Sequence, residues 1–276
     1  MGKPSGNDTE AIRSGAETID LREEGSHGAL LLHGFGDTPQ TLAGLAKKLN
    51  AGGYGVYAPL LPGHGRSMAA FSKSGADDWA STARDAFTEM HSRHASVSVV
   101  GLSMGGALAV ALTAEVQDVP ALALIAPYLE MPARVRAAAS THRLWGRFAG
   151  EVSAQSPLSI RDPIAREKSL AYGSVTGSRL YQLLKVVRRA KKALEDVKAP
   201  TLLIQSREDP RCSMRGAEQA MERLGAREKK LVWTQGAGHV ITVDYGRERV
   251  YREVRTWLDR HTGGGRAAAA DSTAAT

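Results

Sequence analysis

Val97-Ser98-Val99-Val100-Gly101-Leu102-Ser103-Met104-Gly105-Gly106 runs directly into Ala107-Leu108-Ala109-Val110-Ala111-Leu112. The β-branched run reads as a strand, the alanine-rich run as a helix, and the Gly-x-Ser-x-Gly pentapeptide between them as a sharp turn. A serine on such a turn must hold an uncommon backbone conformation, and glycines two positions to either side let neighbouring backbone approach where a Cβ would collide. Ser103 is therefore the candidate nucleophile. The pentapeptide is weak by itself, since glycine and serine are common in this chain; the flanking strand and helix give it weight.

Outward from this turn, apolar runs alternate with helical patterns. Ala29-Leu30-Leu31-Leu32 is uninterrupted, as expected of a strand buried on both faces, and feeds His33-Gly34-Phe35-Gly36-Asp37. Thr38 to Asn50 places Leu42, Leu45, Ala46 and Leu49 at helical spacing. Thr18 to Leu21 and Gly55 to Ala58 read as strands, and Asp77 or Asp78 is expected to cap a helix running to about His94. Ala121 to Ile125 is a further buried strand, stopped by Pro127. After a gap the pattern resumes with a strand at Thr201 to Gln205, a helix from Ser213 to Leu224, a strand at Lys230 to Trp233 and a helix from Asp244 to Arg260. This alternation predicts an α/β fold with a mostly parallel, doubly wound sheet.

The gap, from Tyr128 to Lys198, reads as helical, basic and without a strand, an inserted cap. Its last helix, Ser178 to Val197, carries Leu180, Leu183, Leu184, Val187, Leu194 and Val197 on one stripe. The expected organisation is a flexible tail over 1–17, a core over 18–127 and 199–262 interrupted by the cap over 128–198, and a disordered tail over 263–276. The 276 residues suit one large domain. Met1 to Arg13 lacks the apolar segment of a secretory signal, and the longest apolar run, Met104 to Ala114, is too short to span a bilayer, so a soluble, cytoplasmic protein is expected. A single cysteine, Cys212, excludes an intrachain disulfide and multi-cysteine metal centres.

The net charge of +7 raises the question of nucleic acid. Residues 128–200 hold fourteen Lys and Arg against six Asp and Glu, so this one segment carries the whole excess. No recognition motif or interleaved aromatics accompany it, and nucleic acid is not an expected partner. Two readings of the basic cap stand: a solvated helix face, or a cationic surface drawn weakly to anionic lipid or acidic esters.

Functional groups on an open parallel sheet lie at the carboxyl ends of its strands. Four such places carry chemistry: His33 to Gly36, Ser103, Arg207-Glu208-Asp209, and Gly236-Ala237-Gly238-His239. A serine hydroxyl needs a base, for which His239 is suited, and the imidazole needs a carboxylate to hold its tautomer, for which Asp209 is placed. Glu208 is the alternative acid. Asp209 could instead cap the helix near Ser213, and His239 could be an ordinary loop histidine. The Met104 and Phe35 backbone N–H groups are the candidate oxyanion donors. His64 reads as structural and Cys212 as a small, semi-buried residue. Arg211, next to the candidate acid, either pairs with Asp209 or points to solvent, the latter favoured.

With His33-Gly34-Phe35-Gly36, Gly63-His64-Gly65, Gly75 to Trp79, Gly101 to Gly106, Asp209 and Gly238 to Thr242 in register, the chain resembles the serine-nucleophile α/β-hydrolases, and within them the small bacterial carboxylesterases similar to monoacylglycerol lipases. The likeness covers about Gly28 to Leu258, the cap least. It implies an α/β-hydrolase fold with a Ser103, Asp209, His239 triad and oxyanion donors at Phe35 and Met104. It further implies hydrolysis of small or monoacyl carboxylic esters through an acyl-enzyme, without metal or organic cofactor. A thioesterase or acyltransferase using the same triad, or a non-catalytic ligand-binding homologue, are the alternatives. A monomer or weak dimer is expected. The chain departs from the family at Pro210-Arg211-Cys212, where apolar residues usually follow the acid.

Overall fold

The computed structural model describes residues 10–23, 26–145, 150–153 and 156–264. Its strands, in chain order, are β1 (Ile19–Leu21), β2 (His27–Leu32), β3 (Gly55–Ala58), β4 (Ser96–Leu102), β5 (Leu122–Ile125), β6 (Glu151–Ser153), β7 (Ser174–Thr176), β8 (Thr201–Ser206) and β9 (Lys229–Thr234). Among the described residues, seven form one sheet in the order β1-β3-β2-β4-β5-β8-β9, parallel throughout except for β1.

Both faces of this sheet are covered, which is why its strands lack polar alternation. Leu30, Leu32, Val97, Val99, Leu122 and Leu124 face helices Ala76–Arg93 and Met104–Val116. Ala29, Leu31, Val100, Ala123 and Ile125 face helices Ala43–Asn50 and Arg247–Thr262. The doubly wound arrangement expected from the sequence is what the chain adopts.

Several local expectations need correction. Helix Ala76–Arg93 starts before Asp77, with Gly75 as its N-cap. Asp78 lies in the first turn and its carboxylate accepts the Gly75 N–H at 2.8 Å. Asp77 instead pairs with Lys185 at 2.7 Å and with Arg189, so part of the basic helix is tied to the core. A short helix, Met68–Lys73, capped by Ser67, was not foreseen.

Residues 128–198 are not free of strands. β6 and β7 pair antiparallel, with Val152 opposite Val175. Each offers one valine between two polar residues, too little for alternation to register in the sequence. Helix Gly177–Ala193 also divides its stripe. Leu184, Val187 and Ala190 are buried in the core beside helix Met104–Val116, whereas Leu180 and Leu183 reach a cavity described below. Residues 10–17, expected within a tail, dock onto the domain: the Arg13 N–H donates to Gly65 O at 2.8 Å and Ala16 is buried. Residues 1–9 and 265–276 lie outside the described residues.

The turn after β4 is held by close backbone contact. A Cβ on Gly101 would overlap Gly105 O, and one on Gly105 would overlap Leu32 O and lie 2.6 Å from His33 O. The helix start can therefore press against the end of β2 only if both positions are glycine. Gly105→Ala is expected to overpack this junction by about 1–3 kcal/mol, lowering the melting temperature by ~2–10 °C. Differential scanning calorimetry measures this directly, and an unshifted transition would show that the junction can relax.

Candidate active site

Ser103 sits at the junction with φ 56° and ψ −118°, outside the conformations that β-carbon-bearing residues favour. Such a geometry costs roughly 1–3 kcal/mol and persists only where the surroundings enforce it. Here they do: the Ser103 N–H donates to Ile125 O at 3.0 Å, while Ser103 O accepts from Gly106, Ala107 and Tyr128 N–H groups. The hydroxyl is thereby lifted from the strand axis into a cavity.

Three side chains from three strand ends meet there. His239 Nε2 lies 2.8 Å from Ser103 Oγ, and His239 Nδ1 lies 2.8 Å from Asp209 Oδ2. The Asp209 side chain is fully shielded and that of His239 is 5% exposed. Asp209 Oδ2 also accepts from Gln205 Nε2 at 2.7 Å, and Oδ1 accepts the Arg211 and Cys212 N–H groups at 2.7 and 3.0 Å. Burial alone would raise the Asp209 carboxyl, but the His239 imidazole and these N–H donors outweigh it and hold the carboxyl below its ordinary range. An ionised Asp209 fixes the Nδ1–H tautomer, leaving Nε2 as acceptor for the serine proton.

Glu208 turns away, accepting from Ser206 Oγ and the Gly236 N–H, both at 3.2 Å. Asp209 does not cap the following helix, because Ser213 does. Arg211 neither pairs with Asp209 through its side chain nor simply points to solvent. Its Nε donates to Ser159 Oγ at 2.9 Å. Cys212 Sγ lies 3.9 Å from His239 Nδ1, and burial pushes its thiol well up, against thiolate chemistry. Asp209, Cys212 and His239 are close enough to hold a metal ion geometrically, but the carboxylate and Nδ1 are already committed to each other.

The loop after β2 flanks the serine. A Cβ on Gly34 would lie 3.4 Å from Ser103 Cβ, so the chain carrying the Phe35 N–H passes directly beside the turn. The Phe35 ring is anchored edge-on to Phe71 and Trp79, at 5.2 and 5.9 Å between centroids. His33 Nε2 accepts the Leu61 N–H at 3.1 Å, so Nδ1 carries the proton and donates to Gly34 O at 2.9 Å. Burial lowers the His33 pKa to about 4, keeping it neutral. Met104, on the other side of Ser103, opens a helix whose first N–H groups have no partner within the helix. His64 is buried among Phe71, Trp79 and His33 with Nδ1 3.2 Å from Pro62 O, a structural position.

Ser103, His239, Gly34 and Phe35 open on a cavity of about 820 Å³ whose far walls include Val135, Val152, Val175, Leu180 and Leu183. That size falls within the usual range for small-molecule sites, about 300–1,000 Å³.

Sequence reasoning missed the residues that hold the histidine loop. Asp244, fully buried, accepts four backbone N–H groups, from Gly238 at 2.7 Å, Tyr245 and Arg161 at 2.8 Å and Asp162 at 2.9 Å. Ser159 O accepts both His239 and Val240 N–H at 2.9 Å, and a Cβ on Gly238 would lie 2.7 Å from it. Across the cavity, the Tyr172 N–H donates to Gly36 O at 2.8 Å. The segment over 158–172 therefore braces the histidine loop and the Phe35 loop together. The only available signal was an aspartate five residues after His239, which also fits a helix cap.

Comparison with known proteins places the chain in a family. Residues 27–245 match the serine aminopeptidase S33 family. The thermostable monoacylglycerol lipase of Bacillus sp. (strain H-257) is 27% identical over 252 residues, spanning 91% of this chain and 98% of that protein. A carboxylesterase of Bacillus subtilis (strain 168) is 26% identical over 239 residues, spanning 86% and 94%. A solved chain from work on the metagenome-derived lipolytic enzymes LipS and LipT superposes with a TM-score of 0.82 at 28% identity, covering 91% of this chain and all of that one.

Two outcomes are expected from the site's supporting groups. Asp244→Asn replaces one acceptor oxygen by a donor facing N–H groups, which should cost about 2–4 kcal/mol and lower the denaturant midpoint in a urea titration. Asp37, buried at the cavity wall beside the Phe35 loop, has its pKa raised by burial to about 7. The folded state then holds a proton that the unfolded chain releases above ~4, so stability falls as pH rises from ~4 to about 7. In Asp37→Asn this slope should vanish, the variant gaining on the wild type across that window in thermal melts; parallel curves would refute the assignment.

Proposed function

The chain belongs to the serine aminopeptidase S33 family of α/β-hydrolases, and we propose that it hydrolyses carboxylic esters through an acyl-enzyme formed on Ser103. The observation that carries this reading is the unbroken chain of two 2.8 Å hydrogen bonds from Ser103 Oγ through His239 to a shielded Asp209. The family description names a peptidase, whereas the two long-covering relatives are named as ester hydrolases, which supports an ester here.

In the first half-reaction Ser103 Oγ attacks the ester carbonyl as its proton passes to His239 Nε2. The new C–O bond leaves negative charge on the carbonyl oxygen, which the Phe35 and Met104 N–H groups receive. The tetrahedral intermediate collapses, the bond to the alcohol oxygen breaks, and His239 returns the proton to that oxygen. Water then attacks the acyl-Ser103 ester with His239 again as base, releasing the acid and restoring the serine. Asp209 keeps its charge throughout and stabilises the imidazolium. The apolar cavity wall formed by Val152, Val175, Leu180 and Leu183 supports a small or monoacyl ester as substrate, the acyl chain lying along it.

Steady-state hydrolysis of p-nitrophenyl acetate and butyrate tests this. Ser103→Ala should lower kcat at least ~1,000-fold, and Asp209→Asn comparably, because it favours the wrong imidazole tautomer. Glu208→Gln should change kcat by less than about threefold. Retention of most of the rate in Ser103→Ala would reject the mechanism.

A further inference from the structure

We propose that Tyr172 is a positioning residue for the oxyanion hole, its ring and backbone N–H holding the Phe35 loop against the Ser103 turn so that the Phe35 N–H stays aimed at the developing oxyanion. This inference rests on the ester-hydrolase reading and adds to it a residue outside the triad that keeps the donor in place.

An oxyanion donor has to leave its own N–H unbonded, so something else must fix the peptide that carries it. The stretch holds itself poorly: Gly34 and Gly36 flank Phe35, and Gly36 has φ +68°. Among the described residues, one hydrogen bond reaches the backbone of Phe35 or Gly36, the 2.8 Å bond from the Tyr172 N–H to Gly36 O. The Tyr172 ring adds a steric stop, since a Cβ on Gly36 would lie 3.6 Å from Tyr172 Cδ2. The same ring stacks on Phe71, with 5.0 Å between centroids and 26° between planes, and Phe71 meets the Phe35 ring edge-on at 5.2 Å. Phe35 is thus held through the next residue's carbonyl and through its own ring, by contacts that both lead back to Tyr172.

A clamp works only if it is itself fixed. Tyr172 Oη accepts the Arg66 N–H at 3.1 Å, and its proton faces Gly63 O and Arg66 O at 3.1 Å and Ser67 O at 3.3 Å. Just upstream, Gln40 Nε2 donates to Lys168 O at 2.8 Å, Gln40 Oε1 accepts the Leu170 N–H at 3.2 Å, and Arg13 Nη1 donates to Leu170 O at 2.9 Å. The tyrosine is therefore pinned to the loop over 63–67, to Gln40 and to the docked segment over 10–17. Because Tyr172 also borders the cavity, the competing account is a plain wall residue. The two differ in the kinetic constant they move. A wall contact is made with substrate and transition state alike and shows in KM, whereas a donor that drifts weakens the transition state alone and shows in kcat. Removing one oxyanion donor outright costs ~100–1,000-fold in kcat, and drift costs a part of that.

The test pairs steady-state hydrolysis of p-nitrophenyl acetate with inhibition by 1,1,1-trifluoro-2-butanone. The ketone forms a hemiketal: Ser103 Oγ bonds to its carbonyl carbon, the serine proton passes to His239 Nε2, and the carbonyl oxygen takes the negative charge in the oxyanion hole. Tyr172→Ala keeps the backbone N–H but removes the ring and hydroxyl. It should lower kcat about 10–100-fold with KM changed less than about threefold, and raise the ketone Ki by about the factor that kcat/KM falls. Both half-reactions pass through an oxyanion, so kcat reports the hole whichever is slower. Tyr172→Phe, which restores the ring, should recover most of the loss and come within about fivefold of the wild-type kcat. Tyr172→Leu, lacking ring and hydroxyl but keeping bulk, replaces the alanine variant if thermal melts show that variant unfolded. A kcat within about threefold of wild type in the variant without the ring, whether or not KM rises, overturns the proposal, as does a ketone Ki that stays constant while kcat falls. A phenylalanine variant as slow as the alanine one overturns the role of the ring. A wild type that neither hydrolyses nitrophenyl esters nor binds the ketone would instead count against the ester-hydrolase reading itself.

Discussion

The structure depends on one steric constraint: the start of helix Met104–Val116 must touch the end of β2. Gly101 and Gly105 meet backbone to backbone, and Gly105 meets Leu32 O, with no room for a single methyl group at either position. That contact forces Ser103 into its positive-φ conformation and projects its hydroxyl past the sheet edge. It also brings the helix N-terminus and the chain after Leu32 to the same side of the serine. The projected Ser103 hydroxyl and two neighbouring sets of N–H donors are thus consequences of one tight junction in the middle of a parallel sheet.

The other half of the site is assembled differently. His239 and Asp209 sit on loops, and loops need external support to hold a 2.8 Å geometry. Here the support comes from the segment over 158–172, bonded to the histidine loop through Ser159 and Asp244 and to the Phe35 loop through Tyr172. The segment over 158–172 therefore does more than line the cavity. It ties the His239 loop to the Phe35 loop opposite.

How much of this was legible in the sequence follows from the range of each interaction. Strands buried on both faces announce themselves as apolar runs, so β2, β4, β5 and β8 were readable; Ser103, Asp209 and His239 were picked out because they follow β4, β8 and β9. β6 and β7 were not, because a three-residue ribbon with one inward valine leaves no period. The start of helix Ala76–Arg93 was misplaced because Asp78 caps from within the first turn, reaching back to Gly75. Asp244, Gln205 and Ser159 were invisible for a different reason. Asp244 and Ser159 bond backbone groups far away in the chain, and backbone carries no sequence signature, while Gln205 sits inside an apolar strand run where nothing marks its side chain as a partner of Asp209.

The central claim is that Ser103 is made nucleophilic by the folded arrangement around it. Incubation with a fluorophosphonate, followed by intact-mass measurement and peptide mapping, tests this most directly. The expected result is one adduct per chain, on Ser103, formed by the native protein and absent after urea unfolding. An unmodified native protein, or an adduct on any other residue, would contradict it.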